Sequence, residues 1–296
     1  MEIRRFKFGF AFACVAALAA CAGDAGKVFY ATPGQNAYIR FVNAIPDSGS
    51  QDWRFVDLVE GSPTIQGLSF RGIWPGATYQ AATAGSRHLR VFQSSLDPTF
   101  ADPTKASPAI VSTIFVDSTF SLTAGTHYTI MAVGSLRAHT AKFVILTDDF
   151  TDPGSNVSMR VVNAGAGASL DVYASPTGGS AALPTSPLVA SLATYAASPW
   201  NSTAPGALAL RANAAGSKTL PAMLDVVAPA GVAADRTLNL TAIGGSTIAG
   251  TAFTAFLFPP AVTGSLAAAV VAGTCPTRCT TPGVVFAVDK YPPSGF

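Results

Sequence analysis

The residues able to do chemistry are few and unevenly placed. The chain has three histidines, His88, His127 and His139, all in its first half. Beyond the N-terminus Glu60 is its only glutamate. Three histidines suit a metal site or a general base. However, His88 and His127 sit in alternating strand patterns, where a surface or edge position is the expectation. No H-E-x-x-H, P-loop or G-x-S-x-G pattern occurs, so no catalytic residue and no metal ligand is assigned. With one glutamate, carboxylate catalysis would rest on aspartates, and most of these flank turns, where Asp bonds its own backbone. Gly165-Ala166-Gly167, after an apolar run, begins like a dinucleotide loop. It lacks the third glycine, and a strand-like segment, Leu170–Tyr173, follows where a helix is needed. It is read as a turn between strands, and no cofactor is expected.

Aromatic residues give the clearest hint of binding. RGIWPGATYQ places Trp74 between Arg71 and Tyr79, and with His88 these form a candidate stacking surface for a glycan or peptide. The alternative is that Trp53 and Trp74 fill a core, with Trp200 in a matching place.

Four cysteines divide by position. Met1–Lys7 carries Arg4, Arg5 and Lys7, and an apolar run from Phe8 to Leu18 follows. That is the pattern of a secretory signal, too short to span a bilayer stably. It ends in Leu18-Ala19-Ala20-Cys21, which looks like a bacterial lipobox, so residues 1–20 are expected to be removed and Cys21 lipidated. Ala22 and Gly23 follow, which by likeness to Gram-negative lipoproteins favours the outer membrane, facing the periplasm or the cell surface. The membrane is therefore one expected partner. Cys14 leaves with the signal. Cys275 and Cys279 remain in CPTRC, an even pair in an oxidising compartment and a candidate disulfide.

Charge excludes another class of partner. The whole chain has 18 basic and 16 acidic residues; losing Arg4, Arg5, Lys7 and Glu2 leaves 15 of each. A neutral mature chain has no footprint for nucleic acid or anionic lipid.

The elements that must position these residues are short, rich in Val, Ile, Thr, Phe and Tyr, and divided by turn signals such as Asp47-Ser48-Gly49 and Pro205-Gly206. No segment sustains a helical period. They also repeat. YIRFVNA (38–44) recurs as SMRVVNA (158–164), so Arg40 and Asn43 match Arg160 and Asn163. AGSRHLRVFQ (84–93) matches PGALALRANA (205–214), and LTAGTHYTIMAVGS (122–135) has an echo in ADRTLNLTAIGGS (234–246). The expectation is all-β: two tandem immunoglobulin-like sandwiches, at 36–150 and 157–264, joined by residues 151–156. Residues 21–35 would be the tether. Residues 265–296 would form an added strand pair, AAAVVAG and PGVVFAV, pinned by the cysteines.

RFVNAIPDSGSQDWRFVD, AGSRHLRVFQ and LTAGTHYTIMAVG together resemble the bacterial domain-of-unknown-function family 4397. The likeness covers residues 36–150 well and 157–258 less well. Asn43 and Asn163 stand where the family commonly has histidine, and the second copy lacks the Pro46-Asp47 equivalent. The resemblance implies an extracytoplasmic β-sandwich, often in tandem, without established catalytic residues. The function expected is a non-catalytic envelope lipoprotein with a protein or glycan partner. A hydrolase with its site in the first copy, and an assembly subunit donating edge strands, stay open as alternatives.

Overall fold

A computed structural model of the chain describes residues 35–58, 64–76, 78–94, 113–235, 237–268 and 279–293. The expected signal peptide, Cys21 and Cys275 lie outside the described residues. In the first half the strands are β1 (Asn36–Asn43), β2 (Gln51–Phe55), β3 (Ile65–Leu68), β4 (Ile73–Trp74) and β5 (Gln80–Thr83). They continue as β6 (Gly85–Gln93), β7 (Ile114–Leu122), β8 (His127–Val133) and β9 (Lys142–Thr147). The second half supplies β10 (Val157–Asn163), β11 (Ser169–Ser175), β12 (Val189–Ala193) and β13 (Asn201–Thr203). It ends with β14 (Ala209–Ala214), β15 (Leu224–Val227), β16 (Ala252–Phe258) and β17 (Gly283–Lys290). Among the described residues there is no α-helix, only a 3-10 turn at Leu266–Ala268.

The strands make four sheets with one topology used twice. Sheet one runs β4-β1-β8-β9, with β5 also on β1, and sheet two runs β3-β2-β6-β7. Sheets three, β13-β10-β16-β17, and four, β12-β11-β14-β15, repeat that order. In each half the first strand lies parallel to a strand near the end, β1 to β8 and β10 to β16, and every other pairing is antiparallel.

Alternation along each strand builds three cores. On β1, Ile39 and Phe41 point into a core with Trp53, Leu89, Val91 and Ile130. On β10, Met159 and Val161 point into a second, with Val172, Leu210 and Leu257. The opposite sides of sheets one and three face each other. Val42, Met131 and Val133 pack there against Val162, Phe256 and Phe258 in a third core. The sheets therefore stack as four layers, with sheets one and three buried on both faces. Double burial accounts for strands that are apolar almost throughout, as in AFTAFLF of β16, where one solvated face would give clean alternation. Residues 34–296 accordingly form one compact unit.

Two expected correspondences shift. HYTIMAV of β8 finds its structural partner in AFTAFLF of β16: Thr129 sits opposite Arg40 on β1, and Thr254 opposite Arg160 on β10. ADRTLNLTAIGGS instead belongs to the connection 228–251, where bridges Val232–Ile243 and Asp235–Leu240 make a small hairpin. The second concerns PGVVFAV, expected in a C-terminal strand pair. It is β17, paired with β16 from Ala252 to Phe258, and it completes sheet three as β9 completes sheet one. Most of AAAVVAG lies outside the described residues.

Candidate functional site

The repeated Arg–Asn motif positions the polar centre of the molecule. Arg40 and Arg160 project from the middle of β1 and β10 into the space between sheets one and three, where they are 0% and 2% exposed. A buried guanidinium needs charge and hydrogen-bond partners, and each finds its carboxylate in the other half. Arg40 Nη2 lies 2.8 Å from Asp289 Oδ1 and 3.5 Å from Asp148 Oδ2, while Arg160 Nη2 pairs with Asp148 Oδ1. The threonines opposite complete a relay. Arg40 Nη2 donates to Thr129 Oγ1 at 3.0 Å, and Thr129 donates to Asp148. Arg160 Nε donates to Thr254 Oγ1 at 2.9 Å, and Thr254 donates to Asp289 Oδ2 at 2.8 Å.

Aromatic rings cover both arginines, and Arg40 also has Phe256 of the third core at 5.2 Å. Tyr79 stacks on Arg40 at 4.8 Å and Trp200 on Arg160 at 4.9 Å. The two rings hold the same place in their sheets, since Gln80 pairs with Ile39 and Asn201 with Met159. Trp200 thus matches Tyr79, not Trp74. The Tyr79 hydroxyl lies 2.8 Å from Asp148 Oδ2 and 2.7 Å from Asp289 Oδ1, placing its proton between the two carboxylates. Burial pushes the Tyr79 phenol far up, Arg40 opposes this and the carboxylates add to it, so Tyr79 is a neutral donor. Burial pulls Arg40 down, but Asp289, Tyr79 and Asp148 outweigh it and leave its pKa raised. Two positive and two negative groups balance in a buried space. This arrangement fastens one half to the other through Arg40 Nη2 and Arg160 Nη2, while Arg40 Nη1 is buried without a hydrogen-bond partner.

The asparagines shape the backbone. Asn43 Nδ2 donates to Leu68 O at 3.0 Å, and its Oδ1 accepts from Ile45 N at 3.2 Å. Asn163 Nδ2 donates to Leu192 O at 3.1 Å and Gly167 O at 2.8 Å, while its Oδ1 accepts from Gly165 N at 3.2 Å. Each asparagine ties the turn after its strand to the neighbouring sheet. The glycine pair Gly165/Gly167 therefore sits in a clamped turn between β10 and β11. Asp47, in the Pro-Asp present only in the first half, accepts from Ser135 Oγ and from the N–H of Leu136 and Arg137 at 2.6–2.9 Å. Burial would raise its pKa, but these donors hold it below the usual carboxylate value.

The four residues of the expected ligand surface do not share a surface. Arg71, 7% exposed, reaches across to the second half, donating to Pro259 O at 2.7 Å and to Thr281 O. Loss of solvent pushes its pKa down to about 10. A Cβ on Gly283 would come within 2.3 Å of Arg71 Nη1, so this approach requires glycine there. Trp74 packs on the first core, its ring 6.1 Å from Phe41. Trp53 is fully buried in the same core. Tyr79 belongs to the charged centre. His88 lies on the outer side of sheet two, paired with Asp117, which Arg90 also holds at 2.9 Å. Hydrogen bonds from His88 are the largest cause of a lowered Asp117 pKa, ahead of Arg90. The aromatic residues went to packing and to arginine because both sandwiches use rings as walls for buried groups.

His127 lies apart from His88, on sheet one, against Tyr38, Tyr79 and Phe150 at 4.8–5.4 Å. A site combining the two is not assembled. Among the described residues no group of three His, Cys, Asp or Glu side chains is placed to hold a metal ion. Cys279 is buried beside Phe70, Ala261 and Ala267. The charged centre went unrecognised in the sequence, although the Arg40/Arg160 repeat was its visible half.

A family model described as "Domain of unknown function (DUF4397)" matches residues 37–173. The matched span, just under half of the chain, runs from β1 to Tyr173 of β11. It contains Arg40, Tyr79, Thr129, Asp148 and Arg160, while Thr254 and Asp289 fall beyond it. No curated protein matches the chain.

Proposed function

We propose that the chain is a non-catalytic cell-envelope lipoprotein, anchored in the outer membrane through Cys21 and presenting two fused immunoglobulin-like DUF4397 sandwiches to an envelope protein or glycan. The observation that carries the reading is the reciprocal pairing of Arg40 with Asp289 and of Arg160 with Asp148. The most strongly polar groups of both halves are used to join them, which suits a display body better than a reactive cleft. The signal-like N-terminus and lipobox supply the address. The two halves are read as copies of one ancestral domain, on the shared strand order and the matched Arg, Thr, Asp and Asn positions.

Fractionation tests the anchor. Cys21→Ala is expected to move the protein from the membrane to the soluble fraction, and an unchanged distribution would overturn the lipoprotein reading. Within the same proposal Cys279 is bridged to Cys275, closing a loop that restrains the segment before β17. Thiol labelling of the purified mature protein is expected to find both cysteines blocked until reduction.

A further inference from the structure

One end of the molecule carries a group of exposed apolar side chains beside the Lys290–Asp152 pair, and it is the end at which β1 begins. Strands β1, β8, β10 and β16 all begin there. Gly125 N bonds Asn36 O and Gly250 N bonds Asn156 O, so the turns before β8 and β16 close on the starts of β1 and β10. The two halves are aligned in the same sense, because the far ends also meet: Arg71 reaches Pro259, and Lys142 lies 5.9 Å from the Tyr195 ring. In the first half β7 and β8 are joined by Thr123–Thr126 alone, whereas the second half places residues 228–251 between β15 and β16. That insertion carries the hairpin built on Val232–Ile243 and Asp235–Leu240.

The hairpin is finished in its backbone and unfinished in its side chains. Val232 and Ile243 exchange both backbone bonds at 2.8–3.0 Å, as do Asp235 and Leu240 at 2.9 Å. Asp235 Oδ1 accepts from Thr237 N and Leu238 N at 2.8 and 3.2 Å. Yet Val232, Leu238, Leu240 and Ile243 are 48–66% exposed, and Val227 and Tyr291 beside them are 68% and 37% exposed. An open cavity of about 550 Å³ lies between hairpin and tail, lined by Ile243, Tyr291 and Pro292 among others. A hairpin whose backbone groups are paired can enter a lipid interface at little polar cost. The hairpin sequence 229–245 holds one acid and one base, Asp235 and Arg236, so it offers no charge complementarity to an ionic protein partner.

We propose that this end-face is a membrane-contact element, with Leu238 and Leu240 resting in the headgroup region of the bilayer that holds the Cys21 lipid. The inference rests on the lipoprotein reading for its geometry. From Cys21 to Gln35 the chain spans at most about 50 Å, and it joins the fold at this end, where β1 begins.

The test separates the two ideas. Residues 22–296 with an N-terminal histidine tag are captured on phosphatidylethanolamine/phosphatidylglycerol vesicles containing nickel-chelating lipid, so capture does not depend on acylation of Cys21. An environment-sensitive dye on Leu238→Cys is expected to shift its emission to the blue on capture. The same dye on Thr119→Cys, on the outer side of sheet two, is expected not to shift. If the dye at 238 keeps its aqueous emission while the chain is captured, the membrane-contact proposal is overturned. If sedimentation without vesicles shows a dimer that Leu238→Ser abolishes, the face belongs to a second copy and the proposal is likewise overturned. Whether Cys21 is the anchor is decided separately by fractionation of Cys21→Ala.

Discussion

Removing the Asp148 carboxylate is the most direct test of the charged centre. Asp148→Ala leaves Arg40 and Arg160 facing the single carboxylate of Asp289, and takes an acceptor from Thr129 and from Tyr79. Deleting one partner of a buried ion pair costs about 3–5 kcal/mol, because the other charge stays desolvated and uncompensated. In a chain of this size each kcal/mol moves the melting temperature by about 2–4 °C, so the expected fall is about 6–20 °C. The companion variant removes a whole pair, Asp148→Leu with Arg160→Met. It keeps the remaining Arg40–Asp289 pair balanced and is expected to lie within about 2 kcal/mol of the wild type. Both are read by urea unfolding followed through tryptophan emission, which reports the interface through Trp200 against Arg160. A single variant that costs less than about 1 kcal/mol, or a double variant as damaged as the single one, would refute the reasoning. Either outcome would mean that solvent reaches these charges and that the third apolar core alone joins the halves.

Two further outcomes follow from the same geometry. Desolvation is the largest cause of a lowered His127 pKa, opposed by Asp148 and Asp289. The unfolded chain therefore binds the proton first as pH falls, and stability is expected to decline from about pH 6.5 toward the lower folded value. His127→Phe, which keeps the ring against Tyr38 and Phe150, should flatten that part of the melting-temperature profile; an unchanged slope would assign it to other groups. Asn163→Ala removes a donor from the carbonyls of Leu192 and Gly167, the latter still accepting from Thr194 Oγ1, and strands the N–H of Gly165; it is expected to cost about 2–3 kcal/mol by urea unfolding. A cost below about 1 kcal/mol would show that water replaces those bonds.

How much of this was legible in the sequence depends on which contacts are local. The all-β class and most first-half strands follow from alternation and turn residues, and Arg40/Arg160 and Asn43/Asn163 follow from the repeat itself. What each pair does was hidden, because the partners lie far along the chain. Thr254 stands 125 residues after Thr129, and Asp289 stands 141 after Asp148, against 120 between the arginines. The drift comes from insertions, the largest being the hairpin connection 228–251. An aligned reading therefore placed HYTIMAV over the hairpin and left β17 outside the second sandwich. Burial hid the rest. A sheet covered on both faces loses the alternation that would show which side an arginine takes.

The charges do not by themselves choose which sheets pair. Sheet one brings Arg40 and Asp148, sheet three brings Arg160 and Asp289, and each arginine reaches across to the other sheet's carboxylate. Two copies of sheet one, from two chains, could satisfy the same ledger of charge. What breaks the symmetry is the ring over each arginine. Tyr79 offers one hydroxyl to both carboxylates, and Trp200 at the equivalent place offers none. Pairing sheet one with itself would crowd two hydroxyls onto the same acceptors, and pairing sheet three with itself would supply none. The short connection from Asp148 to Val157 adds a high local concentration of the correct partner. It is itself held down, with Lys290 Nζ 2.6 Å from Asp152 Oδ2 and Gly154 N bonded to Asp152. On this reasoning the Tyr79/Trp200 difference and the linker are expected to favour pairing within one chain, with the arginine–aspartate pairs fixing the register. Trp200→Tyr separates these roles: it should leave the register intact while weakening the preference for the partner sheet of the same chain. That change is measurable as dimer in sedimentation after refolding at high concentration.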